Sequence, residues 1–439
     1  MSKNLLFIAA TCLSLWQPIH SAAQEKVILD IRQVLDLVET NNKDVAVARR
    51  NLSVAEQGVD VANASKLPDI SASLSLNFLG DITLMDRDFT NVMTAKMPHF
   101  GNTLDVTVYQ PVYEGGAISA GVKLAQSQQK MSQTQVEQTR QSVGIQAVGC
   151  YLELYKASNL RKVYAENIET TQRVLDEMNA RHKEGVVLKN DITRYELRLS
   201  TLNYDLLTID NRISVMNHNL CLLLGLDAGT EIVADITNEA DALPAIESKQ
   251  QWLDRSAENS LSLKSLNIER DINSRQRSLL NAERMPHIGL VAGDTFAGPI
   301  SFEVPVINSN YNMWFVGVNV KYNLSSIYKT PKSLTKNRLQ REEILSKIDA
   351  TTEQLDRTID DTYTQYTQAH RMLETEKKNV ELATENYRIV ENRYNNQLAL
   401  LTDMLDASTA KLDADVRLVN ARVNIIYYYY QLKYASGTL

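Results

Sequence analysis

Along most of the chain apolar residues recur at alternating spacings of three and four, and the recurrence is interrupted twice in the same way. Before the first interruption stand Ile168, Thr171, Leu175, Met178 and His182. Before the second stand Val380, Ala383, Tyr387, Val390 and Tyr394, each 212 positions later. Beyond the first interruption follow Leu199, Leu202, Leu206, Ile209, Ile213, Met216 and Leu220; beyond the second, Leu412, Val416, Val419, Val423, Ile426 and Tyr430, shifted by one residue. Such spacing predicts long helices with one apolar seam each, packed knobs into holes. The interruptions also resemble each other: Arg181 and Arg393, Leu188 and Leu400, Asp191 and Asp403 share a register, and Ile192 faces Met404. Each reads as the tip of a helical hairpin. The first ascending helix traces back to about Ser119; roughly 65 residues at about 1.5 Å each make a rod on the order of 100 Å. A tandem pair of such hairpins is an architecture, not an enzyme pocket.

Between the helices the period changes to two. Ile70, Ala72, Leu74, Leu76 and Phe78 alternate with polar residues, as do Leu104, Val106 and Val108, and Trp314, Val316, Val318, Val320 and Tyr322 alternate with Phe315, Gly317, Asn319 and Lys321. Ile288, Leu290 and Ala292 form a weaker fourth case. This alternation suits a barrel strand with an apolar outer face, and equally a half-buried strand of a soluble sheet. Pro68 and Pro286 stand just before the opening strand of each half, where a helix must stop. Four strands cannot close a barrel, for which about eight is the practical minimum. Open edges are not tolerated in lipid. Membrane insertion therefore requires several chains to share one barrel.

Composition narrows the field. Lys3, the apolar run Leu5–Leu15 and Ser21-Ala22-Ala23 read as a secretory signal over residues 1–23, with Cys12 leaving a lipoprotein alternative open. The 46 basic residues are outnumbered by 53 acidic ones, for a net charge of −7, and no basic stripe suggests nucleic acid. No other segment has the length of a transmembrane helix. The six histidines lack ligand spacing and no nucleophile–base pair is evident, so no enzyme, cofactor or metal site is predicted.

Gln110-Pro111-Val112-Tyr113-Glu114-Gly115-Gly116, the stretch from Arg393 to Ala407, Asn420-Ala421-Arg422 and Gly437-Thr438-Leu439 resemble the TolC family of outer-membrane efflux channels. The likeness covers residues 28–439. The second half departs from the family's strand-to-helix turn at Lys321-Tyr322-Asn323-Leu324-Ser325-Ser326. The resemblance implies a mainly α fold with a membrane β-barrel portion. Duplicated helical hairpins would form a tunnel, and four strands per protomer would enter a homotrimeric twelve-stranded barrel. It divides the mature chain into a first repeat (24–225), an equatorial linker (226–250) and a second repeat (251–439). Loops 79–103 and 297–312 would face outward, and residues 226–260 would form a collar with the chain ends. The expected function is passive export across the outer membrane, with a periplasmic adaptor (membrane fusion protein) and an inner-membrane pump of RND or ABC type as partners. The alternative is a periplasmic or surface coiled-coil scaffold without channel activity.

The resemblance also assigns residues. Asp403 and Asp406 match aspartates that narrow the periplasmic entrance; capping of a helix N-terminus is the plainer reading, and Asp191 fits it too. Gly185, Val186, Val187 and Leu188 at one tip, with Gln397, Leu398 and Leu400 at the other, would meet the adaptor. Gly185 suits a left-handed turn, whereas Gln397 suits it poorly. Tyr394 and Asp191 match a closed-state latch, with Arg181 and Arg393 as further candidates, although Tyr394 also lies on the packing seam. Ala399 stands where the family's second latch has an arginine. Cys150 and Cys221 lie roughly opposite each other; buried thiols are favoured over a disulfide, which needs unusually close helices. Tyr427 to Tyr430 are assigned to packing near the collar.

Overall fold

A computed structural model describes residues 26–236, 247–303 and 306–439. The expected secretory signal over residues 1–23, with Cys12, lies outside the described residues. The chain divides into two compact units, each drawing on both halves of the sequence.

The first unit comprises residues up to Ala46, Thr139–Glu258 and Arg357–Leu439. It opens with β1 (Lys26–Leu29) and α1 (Ile31–Asn41). Asp30 accepts from the Gln33 amide at 2.7 Å while Gln33 returns its side-chain oxygen to the Asp30 amide at 3.0 Å, so two orphan donors at the helix start are satisfied together. β1 pairs in parallel with β6 (Glu231–Ala234), a two-stranded sheet that period-two reading did not predict because each strand has only four residues. The Tyr151 hydroxyl lies 2.7 Å from the Leu29 carbonyl oxygen and 2.9 Å from that of Asp235, fixing this sheet to the long helix α3 (Ala117–Lys183). Around it, α1, α3, α4 (Lys189–Leu224) and α8 (Leu401–Ala435) enclose Val34, Val38, Tyr151, Leu152, Leu220, Val423 and Tyr430. The strand that follows the first hairpin, the N-terminal strand and the C-terminal helix thus meet in one cluster. Arg140 and Gln141 donate to the carbonyls of Leu439 and Gly437, at 3.1 Å each. A second cluster seats Trp252 of α5 (Lys249–Asn259) against Ile359 and Tyr366 of α7 (Ser326–Asn395) and Ile425 of α8. Tyr427–Tyr430 divide between these two clusters. Cys150 and Cys221 are free thiols; Cys221 is buried, and burial pushes the Cys150 thiol up to about 11.

The second unit comprises Val47–Gln138 and Asn259–Asp356. α2 (Lys43–Ala64) and α6 (Leu261–Ala282) each end shortly before a proline and a strand. The sheet runs β2 (Asp69–Phe78), β5 (Phe100–Glu114), β7 (His287–Gly298), β8 (Tyr311–Lys321), all antiparallel. The weak fourth case is therefore a full strand. One correction concerns the first loop: β5 begins at Phe100, opposite Phe78, because the ladder continues through Asn77 and Gly101, so the loop 79–103 is shortened. It carries its own hairpin, β3 (Ile82–Leu84) with β4 (Met93–Ala95). The register Ile70–Val108–Ala292–Val316 puts the predicted apolar positions on one face. On the other face Thr295 donates to Asp105 at 2.6 Å. β2 is exposed throughout and β8 almost throughout, so the apolar face is not covered by this protomer. At the strand-to-helix turn Gly115 has φ +62; a Cβ there would lie 2.6 Å from Met285 Cβ and 2.7 Å from the Ala282 carbonyl, which only glycine avoids. α3 begins at Ala117, two residues before the traced start. No described helix is long and apolar enough to cross a membrane.

Candidate functional site: the paired helical tips

Both hairpin tips lie in the first unit and are built alike. At the first, the Gly185 amide donates to the His182 carbonyl (2.9 Å) and the Val186 amide to that of Arg181 (3.0 Å). At the second, Gln397 donates to Tyr394 (2.9 Å) and Leu398 to Arg393 (2.7 Å). This nested pair of bonds satisfies the last carbonyls of a helix and demands a left-handed residue. Gly185 supplies it at φ +79, and Gln397 adopts it at φ +62. The His182 ring reaches the Val187 carbonyl at 2.5 Å and Arg393 the Leu398 carbonyl at 3.3 Å, so each turn also has a side-chain brace.

The returning helices start from extended Leu188 and Leu400. Asp403 accepts from the Leu400 amide at 3.0 Å, which is the capping role. Asp191, at the matching position, makes no such bond. Asp406 is exposed and has no partner among the described residues. Beneath the turns, Val174, Leu175, Met178, Ile192, Tyr195, Leu401 and Met404 form one buried cluster, with Val187, Val390 and Tyr394 against it. Ile192 and Met404, the matched pair, both sit inside it. The turns leave their remaining aliphatics outside: Val186 is 51% exposed, Leu188 71%, Leu398 68% and Leu400 71%.

Tyr394 is half-buried. Burial first, then the nearby Asp191 carboxylate, pushes its hydroxyl up, with Arg181 opposing. No hydrogen bond joins Tyr394 to Asp191. Between the tips Arg181 donates to Asn395, at 3.4 Å. Asn395 stands two residues before the left-handed position, which was the available signal in the sequence. Tyr195 and Tyr387 were also missed as site residues: burial raises both hydroxyls, and Tyr387 donates to Glu391 at 3.1 Å. Among the described residues no group of three or more metal-ligating side chains is arranged to hold an ion.

The family model described as outer membrane efflux protein matches residues 34–225 and 252–438, both repeats of the duplicated plan. This chain belongs to the outer membrane efflux protein family. Among solved structures it is similar to the outer membrane protein VceC from Vibrio cholerae, at 16% identity over 93% of this chain and 96% of that one, with a TM-score of 0.74. CusC is similar at 12% identity over 93% and 92% (TM-score 0.77). The Campylobacter jejuni CmeC outer membrane channel is similar at 15% over 93% and 85% (TM-score 0.74). No curated protein matches the chain. At these identities the structural likeness establishes the fold: mainly helical, with duplicated long hairpins and a β portion of the efflux-channel type. The efflux protein family is one of channels, not of enzymes.

Proposed function

We propose that three copies of this chain form a passive export conduit through the outer membrane, extended into the periplasm. One observation carries this reading: the sheet has four strands, an uncovered apolar face and unpaired edges at β2 and β8 among the described residues. Such a sheet is stable in lipid only when copies close it. Exposed heptads on the helices support the same reading. Val47, Val54 and Val61 stand seven apart on α2, and Leu197, Tyr204, Val215 and Leu222 line α4, as seams awaiting a neighbour's helix would. A solitary scaffold rod has no use for either.

In this conduit the repeats 24–225 and 251–439, joined by 226–250, supply one hairpin each, and the loops after β2 and β7 face the exterior. Asp406 and Asp403 form a ring of carboxylates at the periplasmic entrance that favours cations. Val186 and Leu188, with Leu398 and Leu400 exactly 212 positions on, offer matched aliphatic pairs to a periplasmic adaptor, with Gly185, Val187 and Gln397 shaping the turns. An inner-membrane pump supplies the energy. Arg181, through Asn395, and Tyr394, packed on the buried cluster near Asp191, hold the tips in their resting arrangement, with Arg393 bracing its own turn. The test is the mass and conductance of the detergent-purified protein. A trimer that opens channels in planar bilayers is expected; a monomer soluble without detergent would end the reading.

A further inference from the structure

The apolar run on one edge of the sheet is not level with the run on the other. On the uncovered face, β2 carries apolar residues from Ile70 to Phe78, centred on Leu74, and the run beginning on β8 at Trp314 continues to Tyr322, centred on Val318. The ladder fixes their relative height: Leu74 pairs with Leu104, Leu104 with Phe296 and Phe296 with Asn312. Directly across the sheet from the centre of the β2 run therefore lies Asn312, six residues short of Val318. The intermediate strands step between these limits. The β5 run is centred on Val106, and Val106 stands opposite Asp294, above the continuous β7 run Ile288–Ala292. Leu290, at the centre of that run, pairs with Val318, so the band descends by two, four and no residues at successive strands, a mean of about two per strand toward the helix-joined end.

A hydrocarbon layer is flat, so a band oblique to the ladder means strands oblique to the membrane. Two residues at about 3.4 Å against a strand spacing of about 4.8 Å correspond to a tilt of roughly 55°. That is steeper than the roughly 35–45° common among outer-membrane barrels. Tilt and stagger are linked in any closed barrel, so this slide constrains how one sheet joins the next. Without stagger, Leu74 of a neighbour would meet Asn312, and an apolar run would face amides. A shift by an odd number of residues would turn one strand's apolar side to the lumen.

We infer that β8 of one protomer pairs antiparallel with β2 of the next, in a register that sets Leu74 opposite the Val318–Val320 segment. This rests on the trimeric-channel reading and specifies its seam. The apolar band then runs unbroken around the barrel, with Leu76 of one copy beside Val316 or Val318 of the other and Phe78 beside Trp314 or Val316.

The experiment is disulfide mapping in full-length protein in its native membrane, with Cys150 and Cys221 replaced by serine. Leu74→Cys is combined in turn with cysteine at Asn312, Trp314, Val318, Asn319 and Val320, and covalent multimers are read after oxidation. Directly opposed strand residues have Cβ atoms about 4.5–5.5 Å apart, near disulfide reach, while the two edges of one sheet are three strand spacings apart, so a band reports the seam between copies. Multimers with Val318→Cys or Val320→Cys, and their loss with the other three, are expected. Bands confined to Asn312, Trp314 or Asn319, or none at all in a protein that is trimeric and conducts, would overturn the register alone. A monomeric, non-conducting product would instead overturn the channel reading beneath it.

Discussion

Gly185 and Gln397 occupy the same left-handed position of two equivalent turns, 212 residues apart, at φ +79 and +62. Only the first has the residue that accepts this geometry without steric cost. Gln397→Gly is therefore expected to stabilise the second tip by about 0.5–1 kcal/mol. Slower hydrogen exchange at the Leu398 amide would register the gain; unchanged or faster exchange would speak against strain at Gln397.

The reverse change isolates docking from folding. A Cβ at Gly185 meets nothing within 4 Å, so Gly185→Arg brings about 1 kcal/mol of backbone strain and no clash. Trimer yield should stay near wild type while efflux is lost. Measured resistance to a transported toxic compound at wild-type level would remove the first tip from the docking surface.

Asp403 and Asp406 should separate in their effects. Asp403→Ala deletes the acceptor of the Leu400 amide and should cost about 1 kcal/mol. Asp406 holds no such bond, and Asp406→Ala should leave thermal stability unchanged. If both carboxylates line the entrance, the double substitution raises single-channel conductance and weakens block by divalent cations. Identical conductance traces would reduce Asp403 to a cap and Asp406 to a solvated surface residue.

In the second unit, buried Asn273 and Asn337 each donate the side-chain amide to the other's backbone carbonyl, at 3.2 and 3.1 Å. This reciprocal pair fixes the register of α6 against α7. Asn273→Ala is expected to cost about 1 kcal/mol, since it deletes one buried bond while the Asn337 amide keeps its acceptor, the backbone carbonyl of residue 273. Because each replacement deletes a different bond, the double replacement should cost about the two singles added. A double cost clearly below that sum in denaturant titrations would mean that the two amides are coupled.

His370 predicts a pH effect. Burial lowers its pKa below the ordinary 6.5, its Nε2 is buried without a partner, and the ring packs edge-on to Tyr366 at 4.7 Å. The unfolded chain then takes up a proton at higher pH than the folded one. The contribution is constant above pH 6.5 and is lost as pH falls through that value toward the depressed folded pKa. The melting temperature of wild type should drop more between pH 7.5 and 5 than that of His370→Gln. Parallel curves would exclude His370 as the source.

What the sequence made legible follows from pattern length. Helices such as α3 and α7 repeat their seam many times, so their existence, their tips and the matched pair Ile192–Met404 could be read directly. The strand alternations were readable because one face is apolar and the other polar. β1 and β6 were not, since four residues carry too little periodicity and their partner lies about two hundred positions away. The expected latch pair shows a different limit. Tyr394 and Asp191 match by position, yet which side chains touch depends on how the hairpins approach, and the crossing bond falls to Arg181 and Asn395. Gln397 was readable as an unfavourable residue in the turn; the neighbouring contacts that hold it there were not.

The buried cluster around Tyr151 has a consequence for dissecting this protein. Val34, Tyr151 and Leu220 come from one half of the duplication, whereas Val423, Ile426 and Tyr430 come from the other. Neither half therefore possesses a finished interior. A fragment ending between them would lose the β5–β7 pairing and expose an empty greasy seat shaped for the missing helix, so the halves are to be studied by co-expression, where each serves as the other's ligand.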